Sequence, residues 1–224
     1  MVLKTIIRHL SLFLLGAVIT GVAFLSIDKA RRAVLNYLSL HTTSPVVLIL
    51  GDSHFARSDA WLDIWSLNPW QSRNLAVDGY QARQVYSLYR DQVSGDDHCI
   101  VMVMVGINRT DKDRSDDAAH AIDKLIRLAQ KRKKSPVILE VMYTENSHDT
   151  AYVKNLNEQL QSITESNNTK FIKVNHELSN GGKLLPQYSR DGLHLNNAGY
   201  SALFKEIRAQ TLQFISTELE QCRG

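Results

Sequence analysis

The chain has 224 residues, of which 44% are hydrophobic and 22% charged, and its formal net charge is +3. This length suits one full-sized globular domain with an appendage and leaves little room for two enzymatic domains. The positive charge does not favour nucleic-acid binding, because the basic run at 131–134 falls at the end of a predicted helix, where cations suit the dipole.

The N-terminus contains an uncharged apolar stretch at 10–27, flanked on both sides by Lys and Arg. It is about the minimum length for a membrane-spanning helix, and we expect an uncleaved anchor. A secretory signal peptide is the alternative, because Gly21 and Ala23 place small residues at a possible cleavage site. The flanking charges nearly balance and do not fix the orientation.

The chain then becomes basic and mixed until Pro45, which disfavours helix at the preceding residue. We therefore predict a membrane anchor or signal peptide at 1–27, a juxtamembrane linker at 28–44 and a globular domain at 45–224.

Short apolar runs alternate with longer amphipathic runs through the globular domain. The apolar runs predict strands at 46–50, 73–77, 100–105, 136–142 and 170–174. Helical spacing predicts helices at 55–66, 80–93, 115–133, 149–166 and 197–220. Several strands are apolar at every position, so the alternation indicates a parallel sheet covered by helices on both faces.

Cys99 and Cys222 are the only two cysteines, and they lack the paired spacing of zinc or redox centres. No metal site is therefore predicted. If Cys99 starts a strand and Cys222 ends the last helix, a disulfide in an oxidising compartment is conceivable, and the sequence leaves this open.

Ligands of a parallel sheet bind beyond the carboxyl ends of its strands, so residues that directly follow strands are the candidates for chemistry. The polar and glycine residues at those points, with two that precede the last helix, are Gly51, Asp52, Ser53, Asp78, Gly79, Gly106, Asn108, Asp191 and His194.

Ser53, His194 and Asp191 supply the three side-chain types of nucleophilic serine catalysis. A serine hydroxyl needs a base within hydrogen-bond reach and a third group that orients the base. Asp191 lies three residues before His194, close enough to bond one ring nitrogen and leave the other free. The alternative for Ser53 is a helix N-cap, a position at which serine is common.

Acyl transfer also needs donors that stabilise an oxyanion. The backbone N–H of Ser53, the backbone N–H of Gly79 and the side-chain amide of Asn108 are available after the first three strands. Glycine at position 79 lets the backbone approach a substrate closely.

These residues form four blocks in chain order: Gly51-Asp52-Ser53, then Gly79, then Gly106-Ile107-Asn108, then Asp191-Gly192-Leu193-His194. They resemble the blocks of the SGNH hydrolases, also called the GDSL esterase/lipase superfamily, over 46 to about 200. The resemblance implies a three-layer α/β/α flavodoxin-like fold with a five-stranded parallel sheet, here preceded by an N-terminal transmembrane helix. It also implies Ser53, His194 and Asp191 as catalytic residues, Ser53, Gly79 and Asn108 as the oxyanion hole, and no cofactor.

Two residues depart from the family pattern. His54 stands where leucine is usual, and Arg109 follows Asn108 where aspartate is common. We expect both to contact substrate, with a surface position as the alternative for His54. Asp52 is expected to make structural hydrogen bonds.

The resulting hypothesis is a serine esterase that hydrolyses an O-acyl carbohydrate or a lipid ester through an acyl-enzyme. An O-acyltransferase acting on envelope carbohydrate and a non-catalytic envelope binding or scaffold protein remain alternatives. The resemblance and the apolar N-terminus together predict a single-pass protein of the bacterial inner membrane with a periplasmic domain, or a secreted protein if the signal is cleaved. The oligomeric state is left open.

Overall fold

The computed structural model describes residues 47–57, 72–93, 98–110 and 114–223. The predicted anchor at 1–27 and linker at 28–44 lie outside these ranges. None of the helices within the described ranges is both long and apolar enough to span a bilayer.

Five parallel strands form the central sheet in the order β2-β1-β3-β4-β5. They are β1 (Val47–Gly51), β2 (Ser72–Asn74), β3 (Ile100–Met104), β4 (Ser135–Leu139) and β5 (Lys170–Ile172). Each lies within two residues of its predicted start. The strand order reverses between β1 and β3, and the carboxyl ends of these two strands form the switch point at which such sheets bind ligands.

The helices are α1 (Ser53–Ala56), α2 (Ala82–Gln92), α3 (Ser115–Lys131), α4 (Ser147–Ser166), α5 (Asn175–Leu178) and α6 (Asn197–Arg223). The four long ones match predicted helices. The first helix begins at Ser53, two residues earlier than predicted, because Asp52 supplies its N-cap hydrogen bond.

Alternate residues of the central strands face opposite layers of the core, because side chains of a strand alternate between its two faces. Val47 and Ile49 pack in one cluster with residues of α1 and α6, among them Phe55 and Leu203. Leu48 and Leu50 pack in the other cluster with residues of α2, α3 and α4. The α/β fold with a five-stranded parallel sheet between helices is therefore as expected.

The segment between β5 and α6 contains structure that the sequence did not predict. A two-stranded antiparallel hairpin pairs β6 (Ser179–Asn180) with β7 (Lys183–Leu184), and a short 3-10 helix follows at Pro186–Tyr188. This segment leads the chain back across the carboxyl edge of the sheet before α6 begins. Asp191 and His194, which follow this segment, therefore lie at the switch point.

Candidate functional site

The turn after β1 is held tightly against β3. A Cβ atom on Gly51 would lie 2.4 Å from the carbonyl oxygen of Met104, so the two backbones meet at a distance that only glycine permits. The Asp52 N–H donates to the same carbonyl at 3.3 Å. Oδ1 of Asp52 then accepts a hydrogen bond of 3.1 Å from the N–H of His54, which caps α1.

Because Asp52 is the N-cap, the Ser53 hydroxyl is not needed for capping. It instead faces His194, whose Nε2 lies 3.0 Å from Ser53 Oγ. The other ring nitrogen, Nδ1, lies 2.8 Å from Oδ2 and 3.1 Å from Oδ1 of Asp191. The three side chains thus form one hydrogen-bonded series in the predicted order, although Ser53 and His194 are 141 residues apart.

The carboxylate of Asp191 is bonded by the loop that carries it. Its Oδ1 accepts from the N–H groups of Leu193 at 3.2 Å and of His194 at 2.8 Å. The backbone bond from His194, followed by the bond from its ring, holds the pKa of Asp191 well below its ordinary value. Asp191 therefore stays ionised and can accept from Nδ1–H, which leaves Nε2 of His194 as an acceptor for the Ser53 proton.

The loop after β2 reaches the same edge of the sheet. The N–H of Val77 donates to the carbonyl of Gly51 at 3.1 Å, which continues the contact with β1 beyond the strand itself. Gly79 follows with a φ of +76°, in the left-handed region that favours glycine, and is exposed. Gly79 therefore lies two residues beyond the hydrogen bond that ties this loop to the end of β1.

Asn108 lies beyond β3 and is half-buried. Its Nδ2 donates to the carbonyl of Tyr80 at 3.2 Å, which ties this loop to the one after β2. An amide has two N–H donors, so one remains for another partner. Gly79 and Asn108 line a common open cavity, and the three predicted oxyanion donors thus follow adjacent strands.

Arg109 is fixed by two neighbours. Its Nη1 lies 3.0 Å from Oδ1 of Asp149, and its guanidinium lies 4.1 Å from the ring centre of Tyr152. The side chain is 24% exposed and lines the cavity of Gly79 and Asn108. Its position fits the predicted substrate contact, but Asp149 offsets much of its charge.

His54 corrects one expectation. The residue is only 3% exposed, so the alternative of a surface histidine is wrong, and the burial argues against direct substrate contact. Its ring centre lies 5.7 Å from that of His194. Nδ1 of His54 has no hydrogen-bond partner among the described residues.

Burial shifts the pKa values of two neighbouring residues, His54 and Asp52, in opposite directions. It lowers the pKa of His54 to about 3, with a smaller contribution from the nearby charge of His194. It raises the pKa of Asp52 to about 7, against the opposing effect of backbone bonds from His54 and Gly106. Desolvation favours the neutral form of both, so an uncharged pair lies beneath the nucleophile at mildly acidic pH.

The sequence reasoning missed Asp149 and Tyr152, both near the start of α4. Tyr152 donates from its hydroxyl to the carbonyl of Gly106 at 2.9 Å and also lies beneath Arg109. Both follow β4, and the carboxyl ends of parallel strands meet at one edge of the sheet, so the position after β4 is the sequence signal that points to this helix start.

Cys99 takes part in a disulfide bond. Within the described ranges, no group of three or more His, Cys, Asp or Glu side chains is arranged to hold a metal ion.

The chain is similar to known proteins in sequence and in fold. Residues 49–202 match the model of the GDSL-like lipase/acylhydrolase family, which covers more than half of the chain. No curated protein matches the chain.

Solved structures show the same fold at low sequence identity. A protein described as a putative platelet activating factor from Streptococcus pneumonia is 18% identical, with a TM-score of 0.66, and the match covers 87% of this chain and 97% of that chain. A GDSL-like lipase from Bacteroides thetaiotaomicron is 18% identical, with a TM-score of 0.64 and coverage of 83% and 97%. A lipase/acylhydrolase from Enterococcus faecalis is 16% identical, with a TM-score of 0.61 and coverage of 75% and 96%.

The buried side chains of Asp52 and His54 should have opposite effects on how the free energy of unfolding depends on pH. Asp52 has a raised pKa, so its contribution is present below pH 3.8 and is lost as the pH rises through about 7. His54 has a lowered pKa, so its contribution is present above pH 6.5 and is lost as the pH falls through about 3. Between pH 3.8 and 6.5 the two contributions oppose each other.

Single substitutions should therefore expose each contribution. Relative to the wild type, the free energy of unfolding of His54→Leu should fall with rising pH in this window, by up to about 1.4 kcal/mol per pH unit. The free energy of unfolding of Asp52→Asn, relative to the wild type, should rise with pH at a similar slope. Urea denaturation across the window measures both, with the exposed His148→Gln as control. Parallel curves for all four proteins would contradict the prediction.

Proposed function

This chain belongs to the GDSL-like lipase/acylhydrolase family and is a serine ester hydrolase of that class, and from this premise we propose that it acts through an acyl-enzyme on Ser53. The observation that carries the proposal is the 3.0 Å distance between Ser53 Oγ and His194 Nε2. It is short enough for proton transfer without rearrangement of either side chain.

In the first step, Ser53 Oγ attacks the carbonyl carbon of the ester, and its proton passes to His194 Nε2. The carbonyl π electrons move to oxygen and form an oxyanion. The intermediate then collapses, the bond to the alcohol oxygen breaks, and His194 returns the proton to that oxygen. The products of this half-reaction are a free alcohol and an acyl ester on Ser53.

In the second step, water attacks the acyl carbon and gives a proton to His194. Collapse of the second intermediate releases the acid, and the proton returns to Ser53 Oγ. Asp191 remains ionised throughout and stabilises the imidazolium that forms twice in the cycle. The hydrogen bonds that lower the pKa of Asp191 support this role, because they favour its ionised form.

The oxyanion is assigned to the N–H groups of Ser53 and Gly79 and to the side-chain amide of Asn108. Support comes from their placement after three adjacent strands and from the hydrogen bond that fixes Asn108 to Tyr80. Fixed donors act strongly because they need not reorient when charge develops.

The substrate class proposed is an O-acyl carbohydrate or a lipid ester. Gly79 and Asn108 line an open cavity of about 430 Å³ at the edge of the sheet. A cavity of this volume can hold the part of such an ester next to the reacting bond. Water is taken as the acyl acceptor. Analysis of products would reveal free acid in that case and acylated sugar if a sugar hydroxyl is the acceptor.

We further propose that residues 10–27 anchor the chain in a bacterial inner membrane, with the globular domain in the periplasm. The uncharged apolar stretch supports the anchor. The disulfide bond of Cys99 supports an oxidising compartment, since such bonds are rare in reducing cytosol.

Ser53→Ala should lower kcat for hydrolysis of 4-nitrophenyl acetate by more than about 10³-fold, because the nucleophile is lost. Labelling by a fluorophosphonate probe should disappear in the same variant. Ser201→Ala removes an exposed serine on α6 and serves as the matched control. Undiminished hydrolysis by folded Ser53→Ala would overturn the proposed function.

Asn108→Ala should lower kcat by about 100-fold and change KM little, because the amide acts on the oxyanion and not on the bound ester. Asn155→Ala, which removes an exposed asparagine of α4, is the control. A change confined to KM would assign Asn108 to substrate binding instead.

A fusion of alkaline phosphatase after residue 44 should be active in a bacterial host, because this reporter folds only when exported. The fusion should also stay in the membrane pellet after alkaline carbonate extraction. Activity released into the soluble fraction would indicate signal cleavage, and an inactive fusion would place the domain in the cytoplasm.

A further inference from the structure

A second cavity adjoins the proposed oxyanion donors. It has a volume of about 320 Å³ and lies between α2 and α3, beside the loop after β3. Asn108 and Arg109 line this cavity and also the open one that contains Gly79. The two cavities are therefore neighbours, and a substrate bound at the carboxyl edge of the sheet can extend into both.

The lining of this second cavity is strongly basic. Its cationic side chains are Arg83, Arg109, Arg114 and Lys124, and its carboxylate is Asp117. Oδ2 of Asp117 accepts from the backbone N–H of Arg114 at 3.0 Å and so caps α3. The carboxylate of Asp117 therefore interacts with the N-terminus of α3.

Two of the cations have acidic partners among the described residues, and two do not. Arg109 is paired with Asp149, and Arg114 is paired with Asp116 at 3.1 Å. The side chains of Arg83 and Lys124 make no hydrogen bond or ion pair within the described ranges. Both are exposed, on facing helices across the mouth of the cavity.

Two cations that face one concavity and have no acidic partner among the described residues create a positive potential that favours an anion. A guanidinium can bond both oxygens of a phosphate or carboxylate, whereas an ammonium supplies a compact charge. Tyr86 and Tyr152 add aromatic surface to the wall, suited to the uncharged part of a ligand.

We propose that this cavity binds an anionic group, a phosphate or a carboxylate, on the part of the ester substrate that does not react. Arg83 and Lys124 are the residues that select it. The inference deepens the proposed function and rests on it, because the ester bond must lie at Ser53 while the anion lies in the basic cavity. The enzyme is then an esterase for negatively charged esters.

The test compares anionic esters with neutral esters that lack the charged group. Phenyl acetate is the neutral substrate, and 4-acetoxybenzoate and 4-acetoxyphenyl phosphate carry the anion on the alcohol half. Phenyl hydrogen glutarate carries a carboxylate on the acyl half, with phenyl butanoate as its neutral counterpart. The wild type should have a higher kcat/KM for the anionic members, and the preferred one identifies the anion and the half that carries it.

Arg83→Gln and Lys124→Gln should each lower the ratio of kcat/KM for the preferred anionic ester to that for its neutral counterpart by about fivefold, the value of an exposed ion pair near the upper end of its range. Arg90→Gln and Lys131→Gln remove exposed cations from the same two helices but outside the cavity, and should leave the ratio unchanged. High salt should weaken the wild-type preference.

A wild type without preference for any anionic ester, or a ratio unaltered in both cavity variants, would overturn the inference. Equal changes in the cavity and control variants would do the same, because they would reflect the net charge of the protein. These failures leave hydrolysis of phenyl acetate intact and dependent on Ser53. A failure of the proposed function would instead appear as activity retained by Ser53→Ala.

Discussion

The site depends on the close parallel pairing of β1 and β3 at the centre of the sheet. All five residues of β1 pair with β3, and Gly51 lies opposite Met104 at the carboxyl end. No Cβ fits between them, so this close approach requires glycine at 51. The approach sets the point at which the chain leaves the sheet. Asp52 then caps α1 over that exit, and Ser53 is left as the first helical residue, with its hydroxyl free for His194.

The second half of the site depends on a loop that reaches the same edge from the far end of the chain. Its shape is set by short-range bonds to Asp191 and by Gly192, whose φ of +87° favours glycine. A longer contact fixes it to the domain: the carbonyl of Gly192 accepts from the N–H of Glu145 at 2.8 Å. In the helix that follows, α6, the hydroxyl of Tyr200 donates to the carbonyl of His54 at 3.0 Å. The base is thus held against the nucleophile by the packing of α6 as well as by its own loop.

Much of this could be predicted from the sequence, because buried parallel strands are apolar at every position and polar residues directly after them mark one edge. The juxtaposition of Ser53, His194 and Asp191 follows from that rule and the four blocks. The burial of His54 could not be predicted, because it depends on α6 packing over α1. The pairing of Arg109 with Asp149 could not be predicted either, since it joins the loop after β3 to the first turn of α4, and the two residues are 40 positions apart in the sequence. The hairpin at 179–184 is too short to give a periodic signal.

The buried pair beneath Ser53 bears on the electrostatics of the site. A charged His54 would place a second cation 5.7 Å, centre to centre, from the ring that must become an imidazolium during the proposed reaction. Burial removes that conflict by keeping His54 neutral, with a pKa of about 3. The adjacent carboxylate of Asp191 then favours the imidazolium. Arg83 and Lys124 lie instead in a cavity that Asn108 also lines, where they can attract an anionic substrate.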